Sequence, residues 1–114
     1  MRHRIRIAAD TVEDTATLND SPTAQKVVAA LPISSSAQVW GQEVYFEVPV
    51  DDEENDSQAA VPSGTLAYWP PGRCFCIFFG QRPASPVNVI GSLDGDPLRW
   101  AAVNAGATVR IEAI

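Results

Sequence analysis

Residues 64–80 read GTLAYWPPGRCFCIFFG, two apolar runs held apart by Pro-Pro-Gly and closed by a glycine at each end. Each run is too short for a helix and rich in aromatic side chains. Proline lacks the N–H that a continuing ladder needs, so the stretch reads as strand, tight connection, strand. Three of the four phenylalanines and both cysteines lie in it. A hairpin this apolar is unstable alone, so the rest of the chain must supply strands to pair with it and helices to cover what they enclose.

The flanking segments meet that need. Arg2, Arg4 and Arg6 alternate with His3, Ile5 and Ile7, the period-two pattern of a strand with one wet face. Residues 11–20 are polar and read as a short loop or hairpin to which Ala16 and Leu18 add a strand. SPTAQKVVAALP predicts a helix: Ser21 caps it, Pro22 opens it, Pro32 ends it, and Ala24, Val27, Val28 and Leu31 form one apolar stripe suited to core packing. ISSSAQVW at 33–40 reads as one strand ended by Gly41. EVYFEVPV then places Val44, Phe46 and Val48 on a core face, with Glu43, Tyr45 and Glu47 opposite.

Beyond the hairpin, QRPASP is a loop and VNVIGSL a short strand with Val87, Val89 and Gly91 on one face. DPLRWAAVNAG predicts a second helix: Asp96 caps it, Pro97 opens it, Leu98, Ala101 and Ala102 face inward, and Gly106 is a left-handed stop. Trp100 is placed against a barrel end. The closing strand ATVRIEAI alternates Val109, Ile111 and Ala113 against Arg110 and Glu112. Around eight short strands and two helices, without βαβ alternation or an internal repeat, predict a mainly β fold. The expected architecture is a closed, mostly antiparallel barrel with two short capping helices in a single domain of residues 1–114.

A formal charge of −6 with one lysine argues against nucleic acid and anionic membrane surfaces as partners. Much of the excess sits in Asp51, Asp52, Glu53, Glu54 and Asp56, a block read as a solvated loop rather than a divalent-cation site. Without a span-length apolar run or an apolar leader, the cytoplasm is the expected compartment. Cys74 and Cys76 share a strand face at a spacing that does not bridge readily, and a C-x-C pair without histidine or carboxylate support is a poor zinc signal. His3, the single histidine, lies near a terminus. No phosphate loop, serine–histidine arrangement or metal cluster is present, and no cofactor or metal is expected.

Four segments in order resemble the cyclophilin-like barrels, in particular the small prokaryotic cyclophilin-like proteins. Pro22-Thr23-Ala24-Gln25 is similar to the P-x-T-A-x-N-F helix start. Gly64-Thr65-Leu66-Ala67 and Phe78-Phe79 resemble G-x-L-S-M-A-N … S-Q-F-F-I, and residues 87–93 resemble H-V-V-F-G-K-V. With the following helix and final strand, the likeness covers most of the chain. It implies the barrel, but it does not carry prolyl isomerisation with it. Cyclophilins place an arginine on the third strand, followed by F-M-x-Q; here that strand is EVYFEVP, whose outer residues are Glu43, Tyr45 and Glu47. A carboxylate cannot donate the hydrogen bonds a guanidinium supplies. Tyr68-Trp69 and Cys76-Ile77 replace the M-A-N and S-Q elements.

Aligning Phe78-Phe79 with the family's phenylalanine pair puts Phe78 inside the barrel and Phe79 outside, beside Trp69 and Tyr45. The resulting aromatic shelf, edged by Glu43 and Glu47, is suited to a small apolar, cationic or peptide ligand. The competing reading makes it barrel-wall cover or the contact of a homo-oligomer. Arg73 and Arg82 are the cations nearest the missing arginine. The expected site is therefore Glu43, Tyr45, Trp69, Arg73 and Phe79, in a non-catalytic module binding a small molecule, peptide or protein. A weak or divergent peptidyl-prolyl cis-trans isomerase using a loop arginine is the alternative.

Overall fold

The computed structural model describes residues 3–80 and 85–114. Nine strands form one sheet: β1 His3–Ala9, β2 Val12–Leu18, β3 Ile33–Ser36, β4 Gln38–Trp40, β5 Glu43–Glu47, β6 Thr65–Trp69, β7 Cys74–Phe78, β8 Asn88–Leu93 and β9 Thr108–Ala113. Their order is β3-β9-β1-β2-β8-β6-β7-β5-β4, and every pairing is antiparallel. The first and last strands of that order are consecutive in the chain, so the sheet nearly closes on itself through Ala37. That residue is what divides the single strand expected over 33–40: its N–H donates to Ala107 O (2.7 Å) and its carbonyl accepts from Gly106 N (2.8 Å). The chain leaves β9 there and turns to pair with β5.

β2 is longer than its polar composition suggests. Val12, Asp14, Ala16 and Leu18 alternate inward along a strand paired with β1 over its whole length. The barrel interior holds Ile5, Ile7, Leu18, Leu66, Ile77, Ile90 and Ile111, all fully buried, and Phe46 stacks on Phe75 across neighbouring strands at 5.1 Å between ring centroids. Val44, Phe46 and Val48 are buried as their alternation predicts.

Helix α1, Pro22–Ala30, covers one end. Ser21 Oγ accepts from Ala24 N at 3.3 Å, and Thr23, Ala24 and Val27 are buried. The other end is closed by a 3-10 helix, Pro97–Ala102, with Asp96 capping Leu98 N. Its tighter winding stacks residues at i and i+3, and this changes the inward face. Trp100 and Val103 are buried, whereas Leu98, Ala101 and Ala102 are exposed, contrary to the α-helical expectation. No helix among the described residues is long and apolar enough to cross a membrane.

The acidic segment is pinned rather than freely solvated. Asp52 accepts from Thr23 Oγ1 (2.7 Å) and Lys26 Nζ (3.0 Å), while the Tyr68 hydroxyl donates to Val50 O (2.7 Å) and accepts from Asp52 N (3.2 Å). On β8 Asn88 and Ile90 point inward, while Val89 and, just ahead of the strand, Val87 point the other way, so the single face expected through Val87, Val89 and Gly91 is broken. A bulge opposite Leu66 and Ala67 leaves Ile90 as the extra residue of that strand.

One surface cluster ties β1 to the barrel end. Arg4 grips Asp94 with both terminal nitrogens (3.0 and 2.6 Å), and Thr15 Oγ1 donates to the same carboxylate. The Arg4 and Thr15 hydrogen bonds hold Asp94 down at about 2, against an ordinary 3.8. A depressed carboxyl stabilises the fold fully above its unfolded value, and that contribution is lost as pH falls through the folded one. Both side chains are about two-fifths exposed, so solvent screening limits the pair to under about 1 kcal/mol. Asp94→Asn is therefore expected to flatten the acid limb of the stability curve between about pH 4 and 2. An unchanged acid limb in denaturant titrations would remove the pair from the account.

Candidate functional site

The hairpin's second face does not meet solvent directly. Ala67, Cys74, Cys76, Phe78 and Val87 form a second buried cluster on the outside of the barrel, joined by Tyr45, Val61 and Trp69. Along β7 and the residue that follows it, Phe75, Ile77 and Phe79 point toward the main core and Cys74, Cys76 and Phe78 toward this outer cluster. The expected orientation of the phenylalanine pair is therefore reversed. Phe79 is 5% exposed and belongs to the interior, which removes it from the site, and Phe78 lies under the outer face. Since both faces of β7 are apolar and covered, alternation alone could not tell them apart.

A cleft of about 260 Å³ opens on this outer face, lined by Trp40, Glu43, Tyr45, Trp69, Cys76, Ser85 and Val87. Strand register explains it. Trp40 on edge strand β4 stands opposite Glu43; Tyr45 stands opposite Cys76; Cys76 stands opposite Ala67. Small side chains in the middle strands, with tryptophan or tyrosine to either side, leave a depression with aromatic walls. Trp69 depends on its neighbour Gly72 for its position, since a Cβ there would come within 2.5 Å of the indole ring. The far wall is held by a bridge between Gln58 and Val87, with N–H to O distances of 2.8 and 3.0 Å.

Glu43 is half-buried, and that burial raises its carboxyl above the ordinary range, with a polar contact to the Cys76 thiol pulling the other way. Burial, reinforced by the Glu43 charge, pushes Cys76 well above the usual thiol range. Burial and the charges of Glu47 and Glu43 raise Cys74 as well. Both cysteines are free and buried. Held as thiols they are poor nucleophiles and poor metal ligands, and no group of three histidine, cysteine, aspartate or glutamate side chains suited to a metal ion gathers among the described residues.

The structure thus brings together Glu43, Tyr45 and Trp69 and separates them from Arg73 and Phe79. Arg73 adopts the left-handed conformation after the Pro70–Gly72 turn (φ 53°, ψ 45°) and lies 3.7 Å from Asp51. It lines a different groove, with Ser34, Ser35, Glu47 and Val48. Arg82 lies outside the described residues. Trp40, Cys76 and Val87 escaped the sequence reading because their membership depends on which strands are neighbours.

Comparison with curated proteins gave no match. Among solved structures, the chain is similar to the hypothetical protein AF2241 from Archaeoglobus fulgidus, with 38% identity, a TM-score of 0.82, and coverage of 99% of this chain and 95% of that one. It also shares a fold with McbB, solved in complex with tryptophan, at 18% identity and a TM-score of 0.69, covering 95% of this chain and 44% of that one. A match to the cyclophilin-like family extends over residues 3–112, so with this barrel and this relative the chain belongs to the cyclophilin-like family.

Proposed function

We propose that this chain is a binding domain whose ligand, a small molecule, occupies the outer-face cleft, and that it does not act as a prolyl isomerase. The observation that carries this reading is the half-buried Glu43 carboxylate set between Trp40 and Tyr45, on the strand where the cyclophilin resemblance calls for a guanidinium. A hydrogen-bond donor aimed at the prolyl nitrogen is what the electrostatic part of isomerisation requires, and a carboxylate accepts where that step needs donation. Arg73 faces Asp51 and the adjoining groove. The small, partly enclosed cleft suits one compact ligand better than an extended chain.

Two measurements test this. In a proline-peptide isomerisation assay the protein is expected to leave the uncatalysed rate unchanged; catalysis abolished by Arg73→Ala would overturn the reading. In an amide NMR titration with indole, and with choline as a charged probe, shifts are expected at Trp40, Tyr45, Trp69 and Val87. Gly72→Ala, which pushes against the Trp69 ring, is expected to weaken that binding several-fold with the fold intact. Absence of cleft shifts with both probes would defeat the proposal.

A further inference from the structure

We infer that the ligand is an organic cation, an alkylammonium whose charged head rests among Trp40, Tyr45 and Trp69 with the Glu43 carboxylate as its counter-ion. This rests on the reading of the cleft as the binding site and names what the cleft selects.

Three observations converge on a cation. The first is charge. Among the described residues lining the cleft, Glu43 is the carboxylate and none is a lysine or arginine. Lys26 is engaged by Asp52, and Arg73 faces Asp51. An anionic ligand would meet a carboxylate that no lysine or arginine among the described lining residues neutralises, while a neutral one would leave it half-desolvated with the Cys76 thiol contact as its compensation among those residues. The second is the aromatic complement. Three rings from three different strands, β4, β5 and β6, border one small space, and ring faces attract cations most strongly where water is partly excluded.

The third is the floor. Cys76 and Val87 are buried, and the Cys76 thiol stays protonated, so the floor presents little that competes with Glu43 for a cation or could hydrate an anion. The raised carboxyl of Glu43 fits the same account, because a cation placed beside it would offset the desolvation that raises it. A cleft of about 260 Å³ has room for a head group and a short chain. The ligand inferred is a free amine; the same ammonium head also ends a modified lysine side chain, and the test separates the two.

The test uses two probes of one shape. Choline carries a trimethylammonium group; 3,3-dimethylbutan-1-ol replaces the nitrogen by carbon and is neutral. Tryptophan fluorescence and amide NMR shifts on the full chain are expected to give choline at least about tenfold tighter binding than the alcohol. Glu43→Gln is expected to remove most of that difference by weakening choline alone, and Trp69→Ala to weaken both, with circular dichroism confirming the fold. A short peptide bearing trimethyllysine separates the two sources: tighter binding than choline assigns the head to a side chain, weaker binding to a free amine. Equal affinity for choline and the alcohol, or choline binding indifferent to Glu43→Gln, overturns the cation inference and leaves the cleft as a binding site. Loss of cleft shifts for choline, the alcohol and indole alike brings down both.

Discussion

Gly91→Ala is expected to cost about 3 kcal/mol or more, enough to lower the melting temperature by roughly 10–15 °C in a domain of this size. A Cβ at that position would lie 2.2 Å from Thr17 O and 3.0 Å from Leu18 Cα. Both contacts are with main chain, so no side-chain rotation relieves them; β2 and β8 would have to part. Their pairing is short, Ala16 with Leu93, Thr17 with Ser92 and Leu18 with Gly91, and it is the seam joining the two halves of the sheet order. Against a total stability of about 5–15 kcal/mol, the loss is a large fraction.

Gly106→Ala supplies the contrast. Gly106 has a φ of +92° and open space around its Cβ position, so its replacement carries only the conformational penalty of about 1 kcal/mol. Urea titration of the two variants measures the difference. Equal losses would mean that β2 and β8 separate without penalty and that the seam does not hold the barrel.

The barrel was legible in the sequence because most strands carry an alternation that only one burial pattern satisfies. Ile5 and Ile7, Val44 and Phe46, Val109 and Ile111 all lie where period two places them. The failures share a physical cause. Where a strand is covered on both faces, as β7 is by the main core and by the cluster around Phe78, alternation has no contrast to report. The bulge beside Gly91 likewise shifts the phase of β8, so the one face that counting runs through Val87, Val89 and Gly91 is broken at Ile90, and Asn88 and Ile90 point in. In the second helix the error was one of winding: a 3-10 period selects Trp100 and Val103, an α period Leu98, Ala101 and Ala102. Of the candidate site, Glu43 and Tyr45 follow from their own strand. Trp40 and Cys76 join them only through cross-strand register, which a single sequence does not encode locally.

The polar inward residue of β8 carries the second large expectation. Asn88 is 1% exposed. Its Nδ2 donates to Thr23 Oγ1 (3.0 Å) and Glu53 O (2.9 Å), and its Oδ1 accepts from Asn55 N (2.9 Å). One side chain therefore fastens helix α1 and the acidic segment to the same end of the barrel. Asn88→Ala removes all three bonds and leaves backbone groups of Glu53 and Asn55 to find water, at an expected loss of about 2–3 kcal/mol. The Asp52 contacts with Thr23 and Lys26 remain, so the segment is loosened at its middle rather than released. Three residues beyond Asn55, Gln58 bridges Val87 and so holds the far wall of the cleft. Hydrogen exchange is accordingly expected to quicken at Asn55 and Gln58, and probe affinity to fall several-fold although Asn88 does not line the cleft. If exchange quickens while affinity holds, the wall at Val87 is fixed by β8 alone; if neither changes, Asn88 is not the fastening point of the loop.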